Sequence, residues 1–173
     1  MILTVVTSLL DDGPGTLREA LRVKVPSLIT FNVHGFIRLE SRLWIVTPGT
    51  VIDGSSAQGP IIIHNHMVYV RATNVFLRYL HFAGNRTDLT IDSLWIAATE
   101  NVVVDHCSAY FGSDETLSAT KSDNVVISNC LISHPLNHHE HAYGSIMSGV
   151  DENSILYLVN NIFANSAHGH RAC

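Results

Sequence analysis

The sequence predicts an all-β fold, a parallel β-helix in which short strands coil about a common axis, and three observations carry that expectation. A strand motif recurs: NVFLRYL opens at Asn74, NVVVDHC at Asn101 and NVVISNC at Asn124, with weaker copies TVIDGSS from Thr50 and ILYLVNNIF from Ile155, spaced 23 to 31 residues apart. Each copy alternates β-branched apolar residues with polar ones and runs into Gly, Asn, Ser or Asp, the punctuation of strands and turns. Finally, the apolar runs lack the 3.6-residue spacing of an α-solenoid, and the fixed Leu/Asn template of a leucine-rich repeat is absent. A period in the twenties with two or three strands per unit means stacked coils. Neighbouring coils pair at ~4.8 Å and place like residues over like, which accounts for one strand being written twice.

Taken in order, the elements begin with a cap. In DDGPGTLREALRV, Gly13-Pro14-Gly15 makes a turn, Thr16 and Glu19 have capping-box spacing, and Leu17, Ala20 and Leu21 share one face. This predicts a short amphipathic helix, within about residues 12–24, covering the N-terminal end of the solenoid. The repeated strands follow, interleaved with second apolar strands such as SLWIAA and TLSAT. Residue 161 aligns with residue 130, and the tail NSAHGHRAC after the last strand offers no comparable cap. Either another subunit covers that edge, through self-association, or the chain is part of a longer one.

At 173 residues, 46% apolar and only 14% charged, the chain reads as one domain, 1–173, with a sizeable core. A formal net charge of −5 argues against general affinity for nucleic acid. No apolar run is long enough to span a bilayer, so neither nucleic acid nor membrane is expected as a partner. The start, MILTVVTSLLDD, lacks a basic leader segment; either a leader has been removed or the protein stays where it was made. Cys107 and Cys130 hold equivalent places in the repeated strand, which suggests stacked buried thiols, with a disulfide as the alternative; Cys173 is unassigned.

Asp92 and Asp114 lie 22 residues apart, close to one coil, so both should project from one edge of the solenoid. Stacked carboxylates repel unless a cation sits between them, and oxygen ligands suit Ca²⁺; solvated turn acids are the alternative. The histidines of HNH (His64, His66), NHHEH (His138 to His141) and HGH (His168, His170) could instead ligate Zn²⁺ or Cu²⁺, although no flanking pattern fixes a tetrahedral set.

NVVVDHCSAYFGSDETLSAT, NVVISNCLIS and HAYGSIMSG together resemble the pectate lyase family, and VTSLLDDGPGTLREAL resembles that family's N-terminal cap. The resemblance runs from about Val5 to Phe163. It implies a right-handed parallel β-helix, secretion, and Ca²⁺-dependent β-elimination of an acidic polysaccharide, polygalacturonate. In such enzymes Ca²⁺ bridges protein carboxylates and the uronate, and an arginine removes the proton at C5.

Carried over, the resemblance implies Asp92 and Asp114 as calcium acids, and Ser118 where many members have a further aspartate. Glu115 and Asn137 fall to substrate binding, and Asp105 and His106 to hydrogen-bonded support. The gripping lysine expected before HAYGS is missing, leaving His138 and His141 in its place. Arg171 stands two residues beyond the position expected for the catalytic arginine, which is Gly169. A non-catalytic β-solenoid, binding carbohydrate or serving structure, keeps the same fold and acidic edge, and that reading stays open beside the enzyme.

Overall fold

The computed structural model describes residues 1–85, 90–136 and 143–167, together with the backbone of 170–172. The strands form three sheets, and all of the pairings between named strands are parallel. The first sheet runs Ile2–Val6, Ser27–Phe31, Thr50–Asp53, Val75–Arg78, Glu100–Asp105, Asp123–Ser128, Leu156–Val159. The second runs Leu43–Ile45, Val68–Val70, Leu94–Ala97, Leu117–Thr120, Ser145–Met147, His170–Ala172. The third runs Gly35–Arg38, Ile61–His64, His81–Ala83, Ser108–Tyr110, Leu131–Ser133, Ile162–Ala164. From Ser27 on the chain visits the sheets in rotation, so each turn adds one strand to each: the predicted parallel β-solenoid.

The repeated strand belongs to the first sheet, with Val75, Val102, Val125 and Leu156 in one row. Asn74, Asn101 and Asn124 turn the corner before it with φ of 56°, 56° and 48°. That left-handed region is costly for most side chains and tolerated by Asn, and the Asn124 amide donates to Asn101 Oδ1 at 2.6 Å. The recurring Asn of the motif is therefore a corner residue. One register moves: Val51 pairs with Phe76, so Gly49 and not Thr50 lies level with Asn74. Gly49 has φ 75°, the corner conformation with no side chain to strain.

Alternate residues point inward and pack into one continuous core, including Ile52, Leu77, Val104 and Ile127, each 2% exposed or less. Cys107 and Cys130 are level with one another, as free, buried thiols within that core. Burial pushes the Cys107 thiol up. The cap is a helix, Leu17–Leu21, with Leu17, Ala20 and Leu21 buried as expected. Its box is half formed: Thr16 Oγ1 accepts from Glu19 N at 3.2 Å, but the Glu19 carboxylate pairs with Arg22 instead of reaching back. At Gly15 an added Cβ would lie 2.4 Å from Thr7 Oγ1, so the turn beneath the helix admits only glycine.

Candidate active site

The outer face of the second sheet carries the acids. Leu94 pairs with Leu117, a register of 23, which places Asp92 level with Glu115 and not with Asp114 as the spacing of 22 suggested. Backbone bonds clamp the two coils at this point: Ser113 N and Asp114 N both donate to Ile91 O, at 2.9 and 3.1 Å. Ile91 N donates to Ser113 Oγ at 3.1 Å, and Glu115 N to Asp92 Oδ1 at 3.4 Å. The tight loop that brings Asp114 round requires Gly112, where a Cβ would fall 1.9 Å from Glu115 O.

Asp92, Asp114 and Glu115 thus converge, with one carboxylate oxygen from each lying within 4.8 Å of the others. That is well inside the ~8 Å that two aspartates sharing one ion would allow. Asp92 and Glu115 are buried and Asp114 half-buried. Burial pushes the Asp92 carboxyl well above the usual range, and the charges of Glu115 and Asp114 push it the same way. Glu115, carried over as a substrate-binding residue, lies in the carboxylate cluster.

Ser118 lines the same cavity, of about 180 Å³, with Trp95, Thr120 and Ile146. Its hydroxyl is buried and has no hydrogen-bond partner of good geometry, although it lies close enough to Asp92 to favour the charged carboxylate. With Asp92, Asp114 and Glu115 it makes an all-oxygen set of the kind that could hold a hard cation.

Asp105 and His106 lie elsewhere, at the corner between the first and third sheets. Asp105 accepts from Ser128 Oγ at 2.7 Å and Asn129 Nδ2 at 2.9 Å, and pairs with His106 Nδ1 at 2.7 Å. Burial opposes its charge, but these three partners outweigh it and hold the carboxyl at about 2. His106 stacks on Tyr79, with ring centroids 5.0 Å apart, and is exposed rather than enclosed in the stack.

Arg171 lies on the final strand of the second sheet, where its backbone pairs with Ile146. Asn137, His138 and His141, with the rest of 137–142, lie outside the described residues, as do His168, Gly169 and Cys173. Among the described residues Asp92, Asp114 and Glu115 form the one metal-capable group of three or more; His64 is not part of it and packs edge-on against Phe36 at 5.7 Å.

Fold and site together define a parallel β-solenoid with a buried acidic cluster on the outer face of one sheet. The comparisons with known proteins agree with that class. Probable pectate lyase C of Emericella nidulans is 31% identical over 163 residues, 90% of this chain and 38% of that protein. The namesake from Aspergillus flavus is 32% identical over 164 residues, again 90% of this chain and 38% of that protein. The crystal structure of Jun a 1, the major allergen from cedar pollen, superposes with a TM-score of 0.72 at 21% identity, covering 94% of this chain and 53% of that one. No family model matches the chain. It is a homologue of these probable pectate lyases, whose family its motifs resemble, and spans 38% of the length of those two curated relatives.

Proposed function

We propose that this chain carries the cation and uronate site of a secreted pectate lyase and serves Ca²⁺-dependent β-elimination of polygalacturonate. The observation that supports this best is the convergence of Asp92, Asp114 and Glu115 within 4.8 Å of one another, with Ser118 lining the same cavity. All of these donors are oxygen, which favours Ca²⁺ over softer metals. Asp92, Asp114, Glu115 and Ser118 would hold the ion. Bound there, Ca²⁺ supplies the charge that anchors a uronate carboxylate and acidifies the proton at C5.

The chain's own residues then have separate tasks. Glu115 N and the clamp at Ile91 fix where the Asp92 carboxylate points. Asp105 braces its corner through three hydrogen-bonded partners. Arg171 serves as the base at C5; an ordinary guanidinium holds its proton too tightly, so the role requires a desolvated, cationic setting. As Arg171 takes the C5 proton, the C5–H pair becomes the C4=C5 double bond and the C4–O bond breaks, its pair departing on the glycosidic oxygen, which takes a proton from solvent or from the protonated Arg171. Asn137 binds the substrate, and His138 and His141 take the place of the missing lysine.

Polygalacturonate mixed with the protein should develop unsaturated-uronide absorbance in Ca²⁺ and none in chelator, and Arg171→Ala should abolish it. By calorimetry, Asp114→Ala should weaken Ca²⁺ binding at least about tenfold, the loss of one charged ligand; equal affinity rejects the site. Ca²⁺ and polygalacturonate binding without product would favour the non-catalytic solenoid.

A further inference from the structure

Cys107 and Cys130 take no part in the carboxylate site, yet the fold sets them side by side. Asp105 pairs with Ser128 and Ser108 with Leu131, so the two cysteines between them lie level on neighbouring coils. The pairing is held from both sides. Just before the cysteines Asp105 accepts from Ser128 Oγ and Asn129 Nδ2, and just after them Leu131 N donates to Cys107 O at 3.1 Å. Level residues of paired strands have Cα atoms ~4.8 Å apart, inside the range of roughly 4.4–6.8 Å over which disulfides form.

Both sulfurs are enclosed, Cys107 being 5% exposed and Cys130 3%. In their column Leu80 lies level with Cys107 on one side and Asn161 with Cys130 on the other. Each cysteine therefore has the other as its sulfur neighbour within the column. Asn161 fixes the backbone at Cys130: its Oδ1 accepts from Cys130 N at 2.9 Å, and its Nδ2 donates to Ile127 O at 2.7 Å. Cys130 Sγ reaches back to Val104 O at 3.6 Å, on the coil of Cys107, while Cys107 Sγ lies 3.7 Å from Leu77 O, one coil further back. The Cys130 sulfur thus already leans toward the coil it would join. The bond requires Cys107 to turn from one staggered side-chain position to another.

We propose that Cys107 and Cys130 are a site of oxidative cross-linking: a disulfide joins them when the chain folds in an oxidising compartment, and it staples the coil bearing Asp114 and Glu115 to the next. The inference concerns residues outside the carboxylate cluster and does not depend on the lyase reading. Oxidised glutathione is a sufficient oxidant. One protein thiolate attacks a glutathione sulfur, the glutathione S–S bond breaks, and one reduced glutathione leaves. The second thiolate then attacks the protein sulfur of the mixed disulfide and releases the other glutathione. Two protein thiols are oxidised, one glutathione disulfide is reduced, and the two thiol protons end on the two glutathiones. Enclosure and the raised Cys107 thiol make this exchange slow once the coil has closed, so it belongs to the folding chain.

The Cys173→Ser variant isolates the pair for the test, made in parallel by secretion into a bacterial periplasm and in the reducing cytosol. Denatured without reductant, the periplasmic protein should take up no thiol-alkylating agent, be two hydrogens lighter, and yield one peptide pair linked through Cys107 and Cys130. The cytosolic protein should take up two. The cross-linked form should melt about 5–10 °C higher, because the bond closes a loop between residues 23 apart, and reductant under mild denaturation should remove the gain. With Cys107→Ser added, protein from the two compartments should melt alike. Cytosolic protein unfolded, reduced and refolded over a series of glutathione ratios gives a second measure, in which the pair should oxidise while reduced glutathione still predominates. Two alkylatable thiols in the periplasmic protein, a bond from either cysteine to glutathione or to a second chain, no oxidation at any glutathione ratio, or a cross-linked form that melts no higher would each overturn the proposal.

Discussion

Asp92→Asn is expected to raise the melting temperature of the cation-free protein and to erase its stabilisation by Ca²⁺. Asp92 is 5% exposed and shares its site with Asp114 and Glu115. Without a cation, the folded state must either bury like charges together or take up protons, and burial with repulsion already pushes the Asp92 carboxyl well up. Asparagine keeps the shape, and its side-chain oxygen can still accept from Glu115 N, as Asp92 Oδ1 does at 3.4 Å. Removing a poorly compensated buried charge should return about 1–3 kcal/mol, or roughly 2–4 °C per kcal/mol for a chain of this size. In Ca²⁺ the gap closes. An ion at a hundred times its dissociation constant stabilises the wild type by about 2.7 kcal/mol, and the variant, short of one charged ligand, should gain little. Paired thermal melts in chelator and in Ca²⁺ decide it. A variant less stable than wild type in chelator would show that the cluster is satisfied without a cation.

The extent to which this was legible in the sequence follows from how a solenoid converts spacing into position. The coil architecture could be read because the first-sheet strand repeats its corner: Asn74, Asn101 and Asn124 all occupy the left-handed region, so the same residue type marks the same place. Where glycine does that job, at Gly49, the motif loses its marker and the alignment slips by one. The acids were legible as a group but not in their pairing. The strand register of 23 sets Asp92 level with Glu115, and the fold of the loop at Gly112, which no strand pattern encodes, brings Asp114 into the cluster. The aromatic row of the second sheet, Trp44, Tyr69 and Trp95, was hidden for a related reason. Its members are separated by unequal intervals, and only the pairing of that sheet shows that they stack. Trp44 and Trp95 share the short context Leu-Trp-Ile, the one signal from which that row could have been suspected.

Leu77→Ala should be among the most destabilising single substitutions in the chain, and Leu158→Ala, in the same row, should be mild. Ile52, Leu77, Val104, Ile127 and Leu158 stack in one inward column of the first sheet. Leu77 is fully enclosed, with coils on both sides, whereas Leu158 is 47% exposed at the end of the column. Truncation at an enclosed site loses transfer energy and leaves a cavity that rigid neighbouring coils cannot close, which costs about 2–5 kcal/mol. At a half-exposed end there is no cavity to leave, and the cost should be about 1 kcal/mol or less. Denaturant unfolding of the two variants measures the contrast directly, using the same residue type, the same sheet and the same orientation. Because each coil of a solenoid contacts only its neighbours, Leu77→Ala should weaken first its own turn, which carries Arg78 and Asp92, and the adjoining turns, which carry Asp53 on one side and Asp105 with Asp114 on the other. Equal costs for the two substitutions would mean that another chain covers Leu158 in solution, and repeating the measurement at low protein concentration should then separate them again.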